Sequence, residues 1–461
     1  MTSRQVLDVL QRYESRNVTF VDPDGSWPIV WERARGVRVR DTDGKTYLDL
    51  TAAFGVAAAG HANPRVVQAA RRQLGALVHA MGDVHPHALK AKLARELSRI
   101  TFERWTGREP RGKGREVKAA KSLFCNSGFE AVEAALKTAV MATGKPGIIA
   151  FEGAYHGLGY GTLNATHRGY FRSYFRSQLR GFGRFVPFPA SSAAGAAPSH
   201  SPKRRGSPPG EKSARDLERI EADMRRLFRR ERIGAVLVEP VQVRGGINIP
   251  PAGFLPLLRQ LCDEHDALLV LDEIYTGFGR TGKWFACEHS GVLPDLVCLG
   301  KGLTGGFPLS ACVARADVMD AAWPLSSGEA IHTSTFLGHP VGCAMALAQI
   351  EEIRRLRLVP RSAKLGVSLL EKLARLCGPH PSLSLSCRGL GLLAGLEVCG
   401  QDGSPASHPA WQIIKAMLSR GFILLPEGEH ANVISFTPPL TISERQLESA
   451  LAVLASVLNY E

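Results

Sequence analysis

Short, almost wholly apolar runs alternate with stretches of helical periodicity through most of this sequence, and that alternation restricts the fold more than any other feature. The runs lie at 122–125, 147–151, 234–238, 267–271, 296–299 and 309–314. Helical patterns fill 128–143, 254–265, 340–356 and 361–376. Strands apolar on both faces have to be covered on both faces, and parallel neighbours need a crossover between them, which a helix supplies. The expectation is an α/β fold with a mainly parallel central sheet. With 461 residues, 44% of them hydrophobic and 22% charged, the chain can bury a large core, which excludes disorder throughout.

The nine cysteines are odd in number, scattered and without a Cys-x-x-Cys pair, so neither a disulfide framework nor a zinc ribbon is indicated. No apolar leader is visible in the first seventeen residues. The longest stretch free of charged residues, 330–350, carries two His, a Pro and several Ser, Thr and Gly, so it is not a membrane span. A cytoplasmic protein that binds neither membrane nor nucleic acid is expected. The net charge of +14 is concentrated in 101–121 and 153–232, while the rest of the chain balances to zero. Within the second tract, 189–213 is expected to be a low-complexity surface insertion, and 214–232 reads as a basic, partly amphipathic helix with a solvated face. Arg168, Arg172, Arg176 and Arg180 recur every four residues, as a single positive helical stripe would require.

The segment Gly277-Phe-Gly279-Arg-Thr-Gly282 matches the dinucleotide fingerprint G-x-G-x-x-G. That fingerprint needs a strand feeding directly into the first glycine and a helix opening at the last. Here Asp272 to Thr276 intervene, and only eleven residues separate Gly282 from Pro294. The same glycines fit G-x-x-x-x-G-K through Lys283, but Trp284 replaces the magnesium-holding Ser or Thr. A nicotinamide-dependent oxidoreductase built on Gly277 to Gly282 is therefore the disfavoured alternative.

Three other segments are better placed for chemistry. Ser127-Gly128-Phe129-Glu130 ends a strand and opens a helix with capping-box spacing, a start that offers free N–H groups and a positive dipole end to an anion such as phosphate. An ordinary cap explains the same residues. Asp272 ends an apolar strand, where a carboxylate can keep a pyridine nitrogen protonated and make the ring an electron sink, or can act as a cap or ion-pair partner. Lys301 follows a strand between Gly300 and Gly302 in apolar surroundings, a setting that lowers an amine's pKa and suits attack on a carbonyl. Together they suit pyridoxal 5′-phosphate.

The order and spacing of Ser127-Gly128, Tyr155-His156-Gly157, Glu239-Pro240-x-Gln242, Asp272-Glu273, Thr276 to Gly282, Gly300-Lys301-Gly302 and Thr335 to Pro340 resemble the class III pyridoxal-phosphate aminotransferases. The runs Asp43 to Asp49 and Gly60 to Pro64 are also similar to that family, and the likeness extends over about residues 30–443. The resemblance implies a fold-type I transferase: a large cofactor domain over 61–331, and a smaller α+β domain combining residues 1–60 with 332–461. It implies that Lys301 carries the cofactor as an internal aldimine and moves the proton, while Asp272 pairs with the pyridinium nitrogen. Tyr155 would stack on the ring, and Gln242 would touch its phenolic oxygen. Ser127, Gly128 and the backbone of Phe129 would hold the phosphate, with Thr335 from the second subunit of a homodimer whose active sites are shared.

The sequence departs from the family pattern at three positions, of which the third bears most on substrate. Phe129 stands where a Thr, Ser or Ala is commoner, and Arg244 exchanges an acid for a base in Gln242-Val-Arg244-Gly245-Gly246. Ser435 stands where many members carry an arginine that forks onto a substrate α-carboxylate. With that fork missing, Glu239 is expected to lack an arginine partner and to favour a cationic or hydroxylated group. The expectation is ping-pong transfer from a non-α amine, such as an ω-amino acid, a diamine or an amino sugar, to a 2-oxo acid. Arg244 and Arg168 are the candidates for a replacement carboxylate anchor. An aminomutase or racemase of the same fold shares the lysine, the acid and the phosphate seat, and is the alternative.

Overall fold

The computed structural model describes residues 1–107, 119–189, 209–378 and 380–458. Its centre is a seven-stranded sheet in the order Ala120–Cys125, Ser310–Arg315, Leu296–Leu299, Leu268–Asp272, Ile233–Val238, Gly147–Phe151, Gly183–Val186. Only Ser310–Arg315 runs against its neighbours; the other pairings are parallel. The six strands read from the sequence are all present, within two residues at each end. The seventh, Gly183–Val186, has only one buried residue and lies at the sheet edge, so its sequence lacks the apolar run that marks the others.

Alternation along the strands divides the core into two layers. Ile148, Ala150, Ala235, Leu237, Val270, Leu296, Cys298 and Cys312 face one cluster, under the Ala-rich side of the helix Gly128–Thr143. Ile149, Phe151, Val236, Val238, Leu269, Leu271, Val297 and Leu299 face the other, with Phe254 and Leu258 of the helix Phe254–Glu264. Each fully buried Leu or Phe side chain in these layers contributes roughly 1.5–3 kcal/mol relative to exposure.

Two further sheets flank this unit. One joins Trp31–Arg35, Arg38–Asp41 and Thr46–Asp49 to Phe422–Ile423, the last pairing parallel with Thr46–Asp49. The other has the order Leu383–Gly389, Ala394–Gly400, Val433–Phe436, Leu425–Glu427. Strands near the start of the chain are therefore built into the same sheet as a strand more than 370 residues later.

The expected arginine stripe does not form. Gly169–Arg172 is a single helical turn, followed by a tighter 3-10 segment Ser173–Gln178 and then extended chain. Arg168 turns inward to the Arg244 carbonyl, Arg172 stacks on the Phe185 ring, and Arg176 and Arg180 are exposed. Four-residue spacing matches helix periodicity, but no continuous helix is there to align it. The insertion expected at 189–213 falls largely on 190–208, outside the described residues. The basic helix is longer than expected, Pro209–Arg230, and part of its charge is paired, with Arg225 bridging Glu221 and Glu264.

The Gly277 to Gly282 segment is a buried turn, and no helix opens at Gly282. Arg280, fully buried inside it, donates to the carbonyls of Leu392 and Pro438 and so ties the turn to the C-terminal third. Gly282 has φ +86°, and a Cβ there would lie 2.8 Å from Cα of Ala363. The fingerprint is thus a packing device, and the oxidoreductase alternative loses its binding loop. Gly282→Ala combines a left-handed backbone with overpacking and should lower stability by about 2–4 kcal/mol in chemical denaturation; an unchanged midpoint would contradict this role.

Candidate active site

Five strands pointing the same way deliver their carboxyl ends to one place, the crevice where open α/β sheets hold ligands. Ala120–Cys125 leads to Ser127 and Gly128, Gly147–Phe151 to Tyr155 and His156, and Ile233–Val238 to Glu239. Leu268–Asp272 ends on Asp272, and Leu296–Leu299 on Gly300 and Lys301. The cavity between them is about 490 Å³, and its walls include Gly128, Phe129, Tyr155, Glu239, Arg244, Asp272 and Lys301.

Asp272 is buried, and its carboxylate is satisfied from within: Nδ1 of His156 lies 2.8 Å from Oδ2, and the Ile274 N–H donates to Oδ1 at 3.1 Å. An ionised carboxylate can only accept, so Nδ1 carries the hydrogen. Lys301 has φ +37°, and its Nζ sits 4.6 Å from the centre of the Tyr275 ring. Burial holds the Lys301 ammonium below its usual basicity, against the pull of Asp272, Glu239 and Glu427.

The helix Gly128–Thr143 begins beside the cavity. Glu130 Oε2 accepts from the Asn126 and Ser127 N–H groups at 2.8 and 2.7 Å, while the buried Ser127 Oγ makes no hydrogen bond among the described residues. A Cβ on Gly128 would come 3.0 Å from Ile274. A hydroxyl without a partner among the described residues, a helix start that presents N–H groups and a glycine closely approached by Ile274 could together hold an anion.

Glu239 is buried in the wall, with Oε1 accepting from the Tyr155 N–H at 2.9 Å and Oε2 from the Val243 N–H at 3.2 Å. Burial pushes its carboxyl up to about 7. Tyr155 is flanked by the edge of Phe171 at 5.5 Å and by the Arg244 guanidinium at 5.7 Å. Three more of the expected site residues are not in the cavity wall of this chain, Thr335 being expected from a second copy. Gln242 is buried with its amide donating to the Glu152 carbonyl at 2.8 Å, and it does not line the cavity. Ser435 is buried in the strand Val433–Phe436, also outside the lining. Thr335 is exposed beside Ser334, whose hydroxyl accepts from Asn126 Nδ2 at 3.3 Å, so this turn sits near the rim.

The comparisons with known proteins agree with this geometry. Residues 20–458 match the family described as aminotransferase class-III. The chain belongs to that family. Transaminase chemistry and dependence on pyridoxal phosphate follow from this membership, and the lysine, the buried acid and the anion seat are groups that fit the cofactor. The 5-aminovalerate aminotransferase DavT of Pseudomonas aeruginosa is 35% identical over 434 residues, 93% of each chain. The acetylornithine aminotransferase of Methanosarcina mazei is 33% identical over 430 residues, 93% of this chain and 92% of its own. Among solved structures, an amine transaminase from an uncultivated Pseudomonas species with pyridoxal phosphate bound has a TM-score of 0.84 at 28% identity, covering 97% of this chain and 98% of that one.

In this class III aminotransferase, three site residues escaped the sequence reading. His156 stood in a motif without a role; only the fold reveals it as the partner of Asp272. The Tyr275 ring lies against the lysine and Glu427 acts on its charge, and neither residue was singled out in the sequence. Among the described residues, no cluster of His, Cys, Asp or Glu is suited to a metal ion, and no helix is long and apolar enough to cross a membrane. His156→Ala would leave the Asp272 carboxylate without its side-chain partner. The cofactor-free protein should lose about 3 kcal/mol of stability in chemical denaturation; no loss would show that the pair is not holding Asp272.

Proposed function

We propose that the protein takes an amino group from a terminal or otherwise non-α amine and passes it to a 2-oxo acid in ping-pong fashion. The observation that carries this reading is Glu239: a buried carboxyl in the cavity wall, held by two backbone N–H groups, with no arginine partner among the described residues. A carboxyl placed this way favours a cationic or hydroxylated substituent over a second anion. Ser435, short and buried in its strand, offers no cation to an α-carboxylate at its position. The named relatives act on 5-aminovalerate and acetylornithine, both of which carry an amine remote from a carboxylate.

In this reading Ser127, Gly128 and the Phe129 N–H hold the phosphate of the cofactor, and Tyr155 covers its ring. Asp272, oriented by His156, keeps the ring nitrogen protonated; when bound, the ring supplies an electron sink. Lys301, its basicity lowered by burial, attaches the cofactor and carries the proton at Nζ. We further propose a homodimer in which a second copy supplies Thr335, in keeping with the exposure of Thr335 and Phe336 at the rim. All nine cysteines are free thiols, which suits a cytoplasmic setting.

Lys301→Ala should remove the visible-edge absorbance of the lysine-bound cofactor and stop turnover; full activity in this variant would refute the assignment. In half-reactions that convert the cofactor to its amine form, terminal amines should outpace ordinary α-amino acids. The reverse order would refute the donor class, and turnover without any 2-oxo acid would favour an aminomutase or racemase.

A further inference from the structure

Arg244, in the cavity wall, makes an ion pair that the transfer chemistry does not use. Arg244 Nη1 donates to Glu427 Oε2 at 3.0 Å. The backbone at Arg244 is fixed, since its carbonyl accepts from the Gly428 N–H at 3.2 Å and from the Arg168 guanidinium. Its side chain is held more lightly: 32% exposed, with one hydrogen bond among the described residues, it forms part of the same wall as Lys301 and Tyr155. Glu427, at the end of the strand Leu425–Glu427, is 1% exposed, and Arg244 is its hydrogen-bonded partner among the described residues. Lys301 and Arg168 also face it, Tyr275 lies close, and Glu429 follows on its own segment.

We propose that Arg244 is the anchor for a substrate carboxylate and that Glu427 holds it in reserve, so that one pocket serves both carboxylate-bearing partners and amines that lack a carboxylate. The proposal rests on the transaminase reading above and names the group that selects substrates within it. A planar guanidinium in a cavity wall suits bidentate capture of a carboxylate. When Arg244 turns to a substrate, Glu427 is left in a place where an unpaired charge is costly. Burial has already pushed its carboxyl up to about 7 with the arginine in place. It therefore takes a proton from solvent, and carboxylate binding draws in one proton above that pH. Below it, Glu427 is already neutral and no proton is taken up. Affinity for the carboxylate then falls as pH rises through about 7. Burial also pushes the carboxyl of Glu239, another wall residue, up to about 7, so the Glu427 variant separates the two.

The test uses the full-length protein loaded with pyridoxal phosphate and, as probe, glutarate, which has no amine to react. Calorimetry in buffers of different ionisation enthalpy, from about pH 6 to 9, reads affinity and proton uptake together. The unaltered protein should take up close to one proton per glutarate above about pH 7, its affinity falling by as much as about tenfold per pH unit. Arg244→Gln should weaken glutarate at least about tenfold and remove the slope, with Arg244→Lys intermediate. Glu427→Gln should bind glutarate at least as tightly, with neither slope nor proton uptake. Unchanged binding in Arg244→Gln, or a slope that persists in Glu427→Gln, overturns the proposal. The visible band of the lysine-bound cofactor reports separately: its absence from the unaltered protein refutes the transaminase reading, whereas its presence beside a negative glutarate result refutes only the anchor.

Discussion

A carboxylate at the end of a buried strand has no water to solvate it, and the site is organised around meeting that requirement at Asp272. The His156 ring and the Ile274 N–H satisfy it from the protein side. That places the loop after Gly147–Phe151 against the end of Leu268–Asp272, across the intervening strand Ile233–Val238. Once these strand ends are fixed, Glu239 and Lys301 follow from their own strands in the same layer. The lysine then experiences two opposing influences. Three carboxyls stabilise its charge and burial destabilises it; burial wins, since the net direction is toward the neutral amine. A neutral amine is the form able to attack a carbonyl.

The two buried carboxyls with elevated pKa differ in what holds them. Glu239 is held by backbone N–H groups, which stay where the fold puts them. Glu427 is held by a side chain, which can leave. Similar burial therefore gives one fixed acceptor and one exchangeable partner in the same cavity.

How much of this was legible in the sequence follows from the range of each interaction. The inner strands were readable because burial on both faces leaves an uninterrupted apolar run, as in Ile233–Val238. Lys301 was readable because its two glycines and apolar neighbours are adjacent in the chain. The edge strand Gly183–Val186 was not, because it is covered on too little of its surface to need such a run. The arginine repeat misled because periodicity records spacing, whereas Arg168 and Arg172 are directed by the Arg244 carbonyl and the Phe185 ring. Arg244 stood out within its own motif, but its pairing with Glu427 was beyond local reading, since 183 positions separate the two. The Gly428 N–H, donating to the Arg244 carbonyl, brings the two segments together.

The parallel pairing of Thr46–Asp49 with Phe422–Ile423 sets an order of events during synthesis. The central sheet and its five strand ends are complete in the chain by residue 315. At that moment the first three strands of the flanking sheet have no fourth partner, Arg280 has neither the Leu392 nor the Pro438 carbonyl, and Glu427 has not been made. Closing a loop of this length adds little entropy beyond that of a shorter one, but it delays the reward until the last segment emerges. A nascent chain of this protein thus carries a nearly finished catalytic layer beside an open sheet edge, and it depends on its final tenth to close that edge against other chains.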